Sequence, residues 1–291
     1  GYWKPPVCRF CPRRYAVLRT AMLPVLSVLA AFAPPPVLDP STLAWTPGMP
    51  DRCECAFVDV GLNNGATLLG WPQTLLQAPH NKTLSELYLK RIRNCLKEAN
   101  APCYYGFEAS PIHTGPLRAL QSRLRTQQIR TLIFAETAFS HEAGNATFYI
   151  DESEDVNHPH TRGVGGTIVG DMNVMLPPKS GQGPWKSIGR AARSGLRKAM
   201  VPTIDGGLFL RQVQRTSDFV AVKLDVEGHE FAFLTQTLIR NARALCGIDV
   251  LAIEWHAWAM QGSGIPAREL RSVVAWMLRQ PGCGVTVLGW G

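Results

Sequence analysis

The sequence predicts an α/β fold, a mostly parallel sheet with helices on both faces. Two distant stretches, Phe57 to Gly65 and Val220 to Glu230, share one layout: an apolar run ending in an acid, then a glycine turn, then helical periodicity. A third apolar run between them, Tyr104-Tyr105-Gly106-Phe107-Glu108, also ends in an acid. Short apolar runs then alternate with segments of three-to-four spacing along the rest of the chain. In an open α/β sheet the carboxyl ends of the strands lie along one edge, where ligands bind beside the strand-order switch.

Strands are expected near residues 55–60, 103–108, 130–135, 219–225, 248–254 and 284–289. Thr67 to Gln77 continues the first glycine turn as a helix, and Leu84 to Ala99 follows as a basic amphipathic helix. Leu117 to Gln128 places Leu117, Leu120 and Leu124 on one face. After the fourth strand Phe231, Leu234, Leu238 and Ile239 repeat at core spacing, and Ala267 to Leu278 forms the last helix. A hydrophobic content of 46% suffices for one such domain over residues 51–291. The chain begins at Gly1 and stops soon after a strand, which is compatible with a fragment whose seventh strand is missing.

Two regions break the alternation. Residues 151–200 run from an acidic start, Asp151 to Asp155, through glycine- and proline-rich stretches to a basic end, Arg190 to Lys198. So little apolar periodicity reads as a disordered insert, or as a flap over a substrate with Trp185 as a stacking surface. Residues 1–50 are distinct again. Through Leu38 there are five basic residues, Lys4, Arg9, Arg13, Arg14 and Arg19, and no acid, so five of the net +8 charges lie there. The remainder, near +3, is too small for a nucleic-acid surface, and no nucleic-acid partner is expected. An apolar segment, residues 20–33, follows these basic residues in the layout of a signal sequence or anchor, with membrane association through residues 20–38. Pro34 directly after Ala31-Phe32-Ala33 disfavours cleavage there, and Pro34 to Pro50 reads as a stalk. An organellar transit peptide and a basic tail with an ordinary buried helix are the rival readings. The anchor reading gives a secretory-pathway lumen as the compartment, and the transit reading an organelle.

Two glycosylation sequons, Asn81-Lys82-Thr83 and Asn145-Ala146-Thr147, fall in expected turns or exposed segments and lean toward the lumen. Eight cysteines are present. Cys8-x-x-Cys11 with Cys53-x-Cys55 fits zinc poorly, because about 40 residues and a one-residue gap separate the thiols. In an oxidising lumen Cys53 and Cys55 would instead pair among Cys95, Cys103, Cys246 and Cys283, in an order the sequence leaves open.

The candidate site follows from the glycine turns. Gly61 and Gly65 let the backbone bend and approach a ligand closely, while Asp59 and Asn63 offer polar groups to a polar head that is not a phosphate. Neither G-x-G-x-x-G nor a P-loop string is present. Glu108 sits where a carboxylate can accept both hydroxyls of a ribose, and together these elements indicate a nucleoside-binding sheet.

In order, Asp59-Val-Gly-Leu-Asn-Asn-Gly65, Gly106-Phe-Glu-Ala-Ser-Pro111, Glu136 to Tyr149, Val222-Lys-Leu-Asp-Val-Glu-Gly-His-Glu230 and Ile253-Glu-Trp-His256 resemble the FkbM-type S-adenosylmethionine-dependent methyltransferases over roughly residues 55–290. The Lys-Leu-Asp-Val-Glu-Gly string is the most specific part. The resemblance implies a class I methyltransferase (Rossmann-like) fold and methyl transfer from S-adenosyl-L-methionine, usually to oxygen. It places Asp59, Gly61, Asn63 and Gly65 along the methionine part of the cofactor, Glu108 at the ribose, and Glu136 to Ala138 at the adenine edge. His229, where the family usually has a small residue, and the insert after Tyr149 are departures on the acceptor side.

Methyl transfer to a hydroxyl needs the acceptor oxygen in line with the methyl group and a base for its proton. His256, which titrates near neutrality and follows the fifth strand, is the first choice as base. Asp225 and Glu227 alternate along the chain, so one faces the cofactor crevice and the other caps the next helix or anchors Lys223. Asp225 counts in both the cofactor and catalytic sets. Asp225, Glu254 and His256 have ligand types that would suit magnesium, yet no metal is expected. The acceptor is expected to be a glycan or other hydroxylated small molecule. A nicotinamide-dependent oxidoreductase and a non-catalytic, membrane-tethered nucleoside- or glycan-binding protein are the competing functions.

Overall fold

The computed structural model describes residues 52–77, 79–98, 101–150, 166–168, 197–256 and 266–290. Residues 1–50, Trp185 and most of the 151–200 insert lie outside them, as do the anchor and stalk readings. No helix among the described residues is long and apolar enough to cross a membrane.

Six strands form a wholly parallel sheet: β1 (Cys53–Val60), β2 (Pro102–Glu108), β3 (Thr131–Ala135), β7 (Ser217–Leu224), β8 (Val250–Ile253) and β9 (Thr286–Gly289). Their order is β3-β2-β1-β7-β8-β9, so the chain builds outward from β1, returns to the middle, and builds outward the other way. The switch lies between β1 and β7, where parallel pairing puts Asp59 level with Lys223. β1, β2 and β7 are almost entirely buried, as expected of strands covered on both faces.

The helices segregate by face. α2 (Glu86–Lys97) and α3 (Thr114–Thr126) cover one side, where Ile92, Leu117 and Leu124 join Phe57, Trp71 and Phe219 in a core. α4 (Gly206–Thr216), α5 (Glu230–Cys246) and α6 (Ala267–Leu278) cover the other, packing Phe209, Phe233 and Leu278 against Val58, Tyr105 and Val222. The fold class read from the sequence is the one observed, a mostly parallel α/β sheet of the Rossmann-like kind.

Three differences have local causes. Thr67 to Gln77 is not one helix: only α1 (Trp71–Thr74) is helical, preceded by successive turns. Gly61, Asn63 and Gly65 all have positive φ, and Pro72 in the first turn of α1 has no N–H to donate to the carbonyl four residues earlier, so the helix does not extend upstream. Second, β4 (Ala138–Ser140), β5 (Gly144–Ile150) and β6 (Arg197–Asp205) form a separate three-stranded sheet, with β6 central. Pro202 in β6 argues against a central strand, but it precedes the short stretch, Thr203 to Asp205, that pairs with β4. The missing N–H is therefore needed by no β4 partner. Third, α4 follows directly from β6, its first turn capped by Asp205 Oδ1, which accepts from the Leu208 N–H at 2.9 Å.

Among the described residues there are three disulfides: Cys53–Cys103 between β1 and β2 within the sheet, Cys55–Cys95 between β1 and α2, and Cys246–Cys283 between the end of α5 and the turn before β9. Cys53 and Cys55 are thus bonded to other cysteines and are not zinc ligands. Cys246–Cys283 spans 37 residues, and removing such a cross-link costs about 2–4 kcal/mol through the freed unfolded chain. The double variant Cys246→Ser, Cys283→Ser should therefore show a urea unfolding free energy lower by that amount. A change below about 0.5 kcal/mol would contradict a formed bond at this position.

Candidate active site

The carboxyl ends of β1, β2 and β7 meet a pocket of about 250 Å³. Its floor is the turn after β1. Gly61 has φ +86°, and a side chain there would run into the carbonyl of Asp225. Asp225 N–H in turn donates to Val60 O at 3.0 Å, while the Gly61 and Leu62 N–H groups both donate to Phe107 O. One turn is thereby stitched to both neighbouring strands, and only glycine fits at its bend.

Glu108 ends β2 beside this turn. Its Oε2 accepts from Asn63 N–H at 2.6 Å and its Oε1 from Ser110 N–H at 2.7 Å. Burial pushes its carboxyl up to about 7, against those two backbone donors. Asn63 Oδ1 and Ser110 Oγ are buried next to it without a hydrogen-bond partner among the described residues. Buried polar atoms are normally satisfied, so a polar group brought in by a ligand suits this spot. Thr137, Ala138, Phe139, Phe148 and Ile168 form the largely apolar far wall.

Asp59 does not line the pocket. It is fully buried behind Lys223, accepting from Thr67 Oγ1 at 2.7 Å and from Lys223 Nζ at 3.2 Å. Lys223 also donates to Asp225 Oδ2 at 3.1 Å, so a buried ammonium bridges the acids at the ends of β1 and β7. Burial works against that charge, but the two carboxylates outweigh it and hold the lysine above its ordinary value. Gly65 likewise acts on packing: its positive φ brings the turn against Leu117 and Leu120 of α3. Glu136, at φ 57°, accepts from Thr114 Oγ1 at 2.7 Å and stays outside the pocket, whereas Ala138 lines it.

Asp225 and Glu227 both line the pocket, because the strand ends at Leu224 and the alternation with it. Asp225 takes the Lys223 contact. Glu227 sits at φ 48° before Gly228 at φ 100°, a left-handed pair that turns its side chain toward the sheet edge. Neither acid caps the following helix, whose N-cap His229 makes no side-chain cap hydrogen bond; its first residue, Glu230, is fully buried and accepts from the Val226 N–H at 2.9 Å and the Gly228 N–H at 3.1 Å in the turn before it. From the insert, Gly166 and Ile168 reach the pocket and Thr167 Oγ1 donates to Glu227 O at 2.8 Å.

His256 lies among carboxylates and does not line the pocket. Its Nδ1 is 2.8 Å from Glu230 Oε1, and its Nε2 is 3.4 Å from Glu227 Oε2 and 3.8 Å from Glu254 Oε1. Burial opposes its charge, yet the Glu230 hydrogen bond and the surrounding acids push it up to about 9. Burial pushes Glu227 up to about 8, with His256 opposing. In this state the imidazole holds its proton and is not the ready base that its sequence position suggests. His229 is the reverse: burial, then the neighbouring His141, push it down to about 4, and its Nε2 lies 3.2 Å from Ser140 Oγ. It lines the pocket as a neutral ring.

A family model described as "Methyltransferase FkbM domain" matches residues 59–280 of the chain. A search of curated proteins and of solved structures returned no match.

The ionic bridge yields a direct test. Lys223→Met leaves Asp59 buried beside an apolar tip, and breaking a buried pair this way costs about 3–5 kcal/mol. Urea unfolding should register that loss, and a loss under about 1 kcal/mol would contradict a buried bridge between the strands.

Proposed function

The chain belongs to the FkbM methyltransferase family, and on that premise we propose that it transfers a methyl group from S-adenosyl-L-methionine to a hydroxyl oxygen of a glycan or other small molecule. The observation that carries the cofactor half is the convergence of Glu108 with the Gly61–Asn63 turn at the strand switch. Both Glu108 oxygens keep a lone pair beyond their backbone donors, which suits two ribose hydroxyls. The orphaned Asn63 Oδ1 is an acceptor for the methionine ammonium, and Asp225 faces the same end of the pocket. The apolar wall of Ala138, Phe148 and Ile168 suits the flat adenine.

The bound cofactor supplies an activated methyl group on a sulfonium. The acceptor oxygen bonds to the methyl carbon as the carbon–sulfur bond breaks and its electron pair returns to sulfur, leaving a neutral thioether and one proton. Glu227, on the pocket wall near Asp225, is the group of this chain placed to take that proton, which it does in the ionised form it gains as pH rises through about 8. His256 and Glu230 hold Glu227's surroundings fixed and act as positioning residues.

A nicotinamide oxidoreductase fits less well. A pyrophosphate needs a helix N-terminus directly after the glycine turn, and here the four-residue α1 starts only at Trp71. A non-catalytic binding protein would keep the pocket but release no adenosylhomocysteine. The three disulfides support an oxidising compartment, in keeping with the secretory reading of the amino terminus.

Calorimetric titration with S-adenosylhomocysteine should show saturable one-to-one binding, weakened at least tenfold (about 1.4 kcal/mol) by Glu108→Gln. Because Glu108 titrates near 7 and only its ionised form accepts from both ribose hydroxyls, affinity should rise as pH climbs through about 7 and then level off. The Glu108→Gln variant should lack this rise. No heat, or wild-type affinity in Glu108→Gln, would remove the cofactor assignment. Turnover is then read as adenosylhomocysteine released with a panel of sugars and hydroxylated small molecules; no release with any of them favours the binding-protein reading.

A further inference from the structure

We propose that Asp225, Glu254 and His256 bind one divalent cation of the Mn²⁺ or Mg²⁺ type beside the pocket, which Asp225 lines. β7 and β8 are parallel neighbours with Leu224 opposite Ile253, so Asp225 and Glu254 leave the sheet side by side. His256 follows two residues later and folds back toward them. One ligand atom from each of the three lies within 4.8 Å of the others. A cation with bonds of about 2.1 Å spans ligand pairs up to about 4.2 Å apart, so closing on it takes a few tenths of an ångström. Glu254, with 38% of its side chain exposed, has room for that movement.

An independent feature is the way His256 is held. Its Nδ1 is fixed on Glu230, whose own oxygens are fixed by the Val226 and Gly228 N–H groups in the turn before α5. A carboxylate behind a histidine is the arrangement that orients a metal ligand, leaving Nε2 as the coordinating atom. Nε2 lies 3.4 Å from Glu227 Oε2 and 3.8 Å from Glu254 Oε1, so the imidazole presents this nitrogen to the acids that would share the cation. Carboxylate oxygens are also in excess there: Asp59, Asp225, Glu227, Glu230 and Glu254 lie around only two basic side chains, Lys223 and His256. Carboxylate oxygens with a single imidazole suit Mn²⁺ or Mg²⁺ better than the softer metals that thiolates select.

What the cation does rests on the methyltransferase reading: it would act as a Lewis acid that holds the acceptor oxygen beside the methyl group and makes its proton easier to lose. The site itself does not depend on that reading. The test uses the untagged full chain with its disulfides intact and Mn²⁺ alone, followed by electron paramagnetic resonance and calorimetry. One Mn²⁺ per chain is expected, with binding weakened at least tenfold in Glu254→Gln and in His256→Gln. If His256→Gln fails to fold, Glu254→Gln, at a half-exposed position, still decides the matter. No Mn²⁺ bound at millimolar concentration, or binding unchanged in Glu254→Gln, would overturn the proposal. Mn²⁺ binding without S-adenosylhomocysteine binding would sink the methyltransferase reading and leave the cation site standing; the converse would sink the cation site alone.

Discussion

The ammonium of Lys223 sits between Asp59 and Asp225, and the rest of the site is arranged around it. Parallel pairing sets Asp59 level with Lys223 across the switch point, and Asp225 follows two residues on. Two acids at adjoining strand ends would repel if left alone in a buried place; the shared ammonium, 3.2 Å from Asp59 and 3.1 Å from Asp225, offsets that repulsion. That in turn fixes the carbonyl of Asp225, against which the Gly61 bend closes, and the bend delivers Asn63 N–H to Glu108. A chain of short-range requirements thus links the centre of the sheet to the pocket wall. The Asp59–Lys223 pair lends specificity of register as well as energy, since a slip of one residue would bury an unpaired charge.

The sheet was legible because its signals are local and redundant. The six apolar runs at 55–60, 103–108, 130–135, 219–225, 248–254 and 284–289 each became a parallel strand, with ends shifted by one or two residues. The Ala267–Leu278 helix was found with its boundaries. What escaped depended on distant partners. β4 is three residues long, and β6 contains a proline acceptable only because its β4 neighbour begins one residue later. The α4 helix did leave a trace, an Asp205 cap ahead of Phe209, Leu210 and Val213 at core spacing, obscured by its position just after the insert.

The site was legible as a set of residues and less so as a set of roles. Gly61, Asn63, Glu108, Ala138, Asp225 and Glu227 do line one pocket. Asp59 and Gly65 act one layer back, on charge and on packing, and Glu136 is turned onto Thr114. The division of labour among Asp225, Glu227 and Glu230 could not be read from strand alternation, because a left-handed pair, Glu227-Gly228, intervenes just past the strand end. His256 shows the same limit: its titration depends on Glu230 and Glu227, 26 and 29 residues away in sequence, and no local pattern announces that company.

The most direct measurement is a crystal structure of the full chain with S-adenosylhomocysteine. The account places the ribose hydroxyls on Glu108, the methionine ammonium near Asn63, the adenine against Ala138 and Phe148, and the sulfur facing Asp225 and Glu227. Density for the ligand elsewhere on the protein, or in this pocket with its ribose turned away from Glu108, would contradict it.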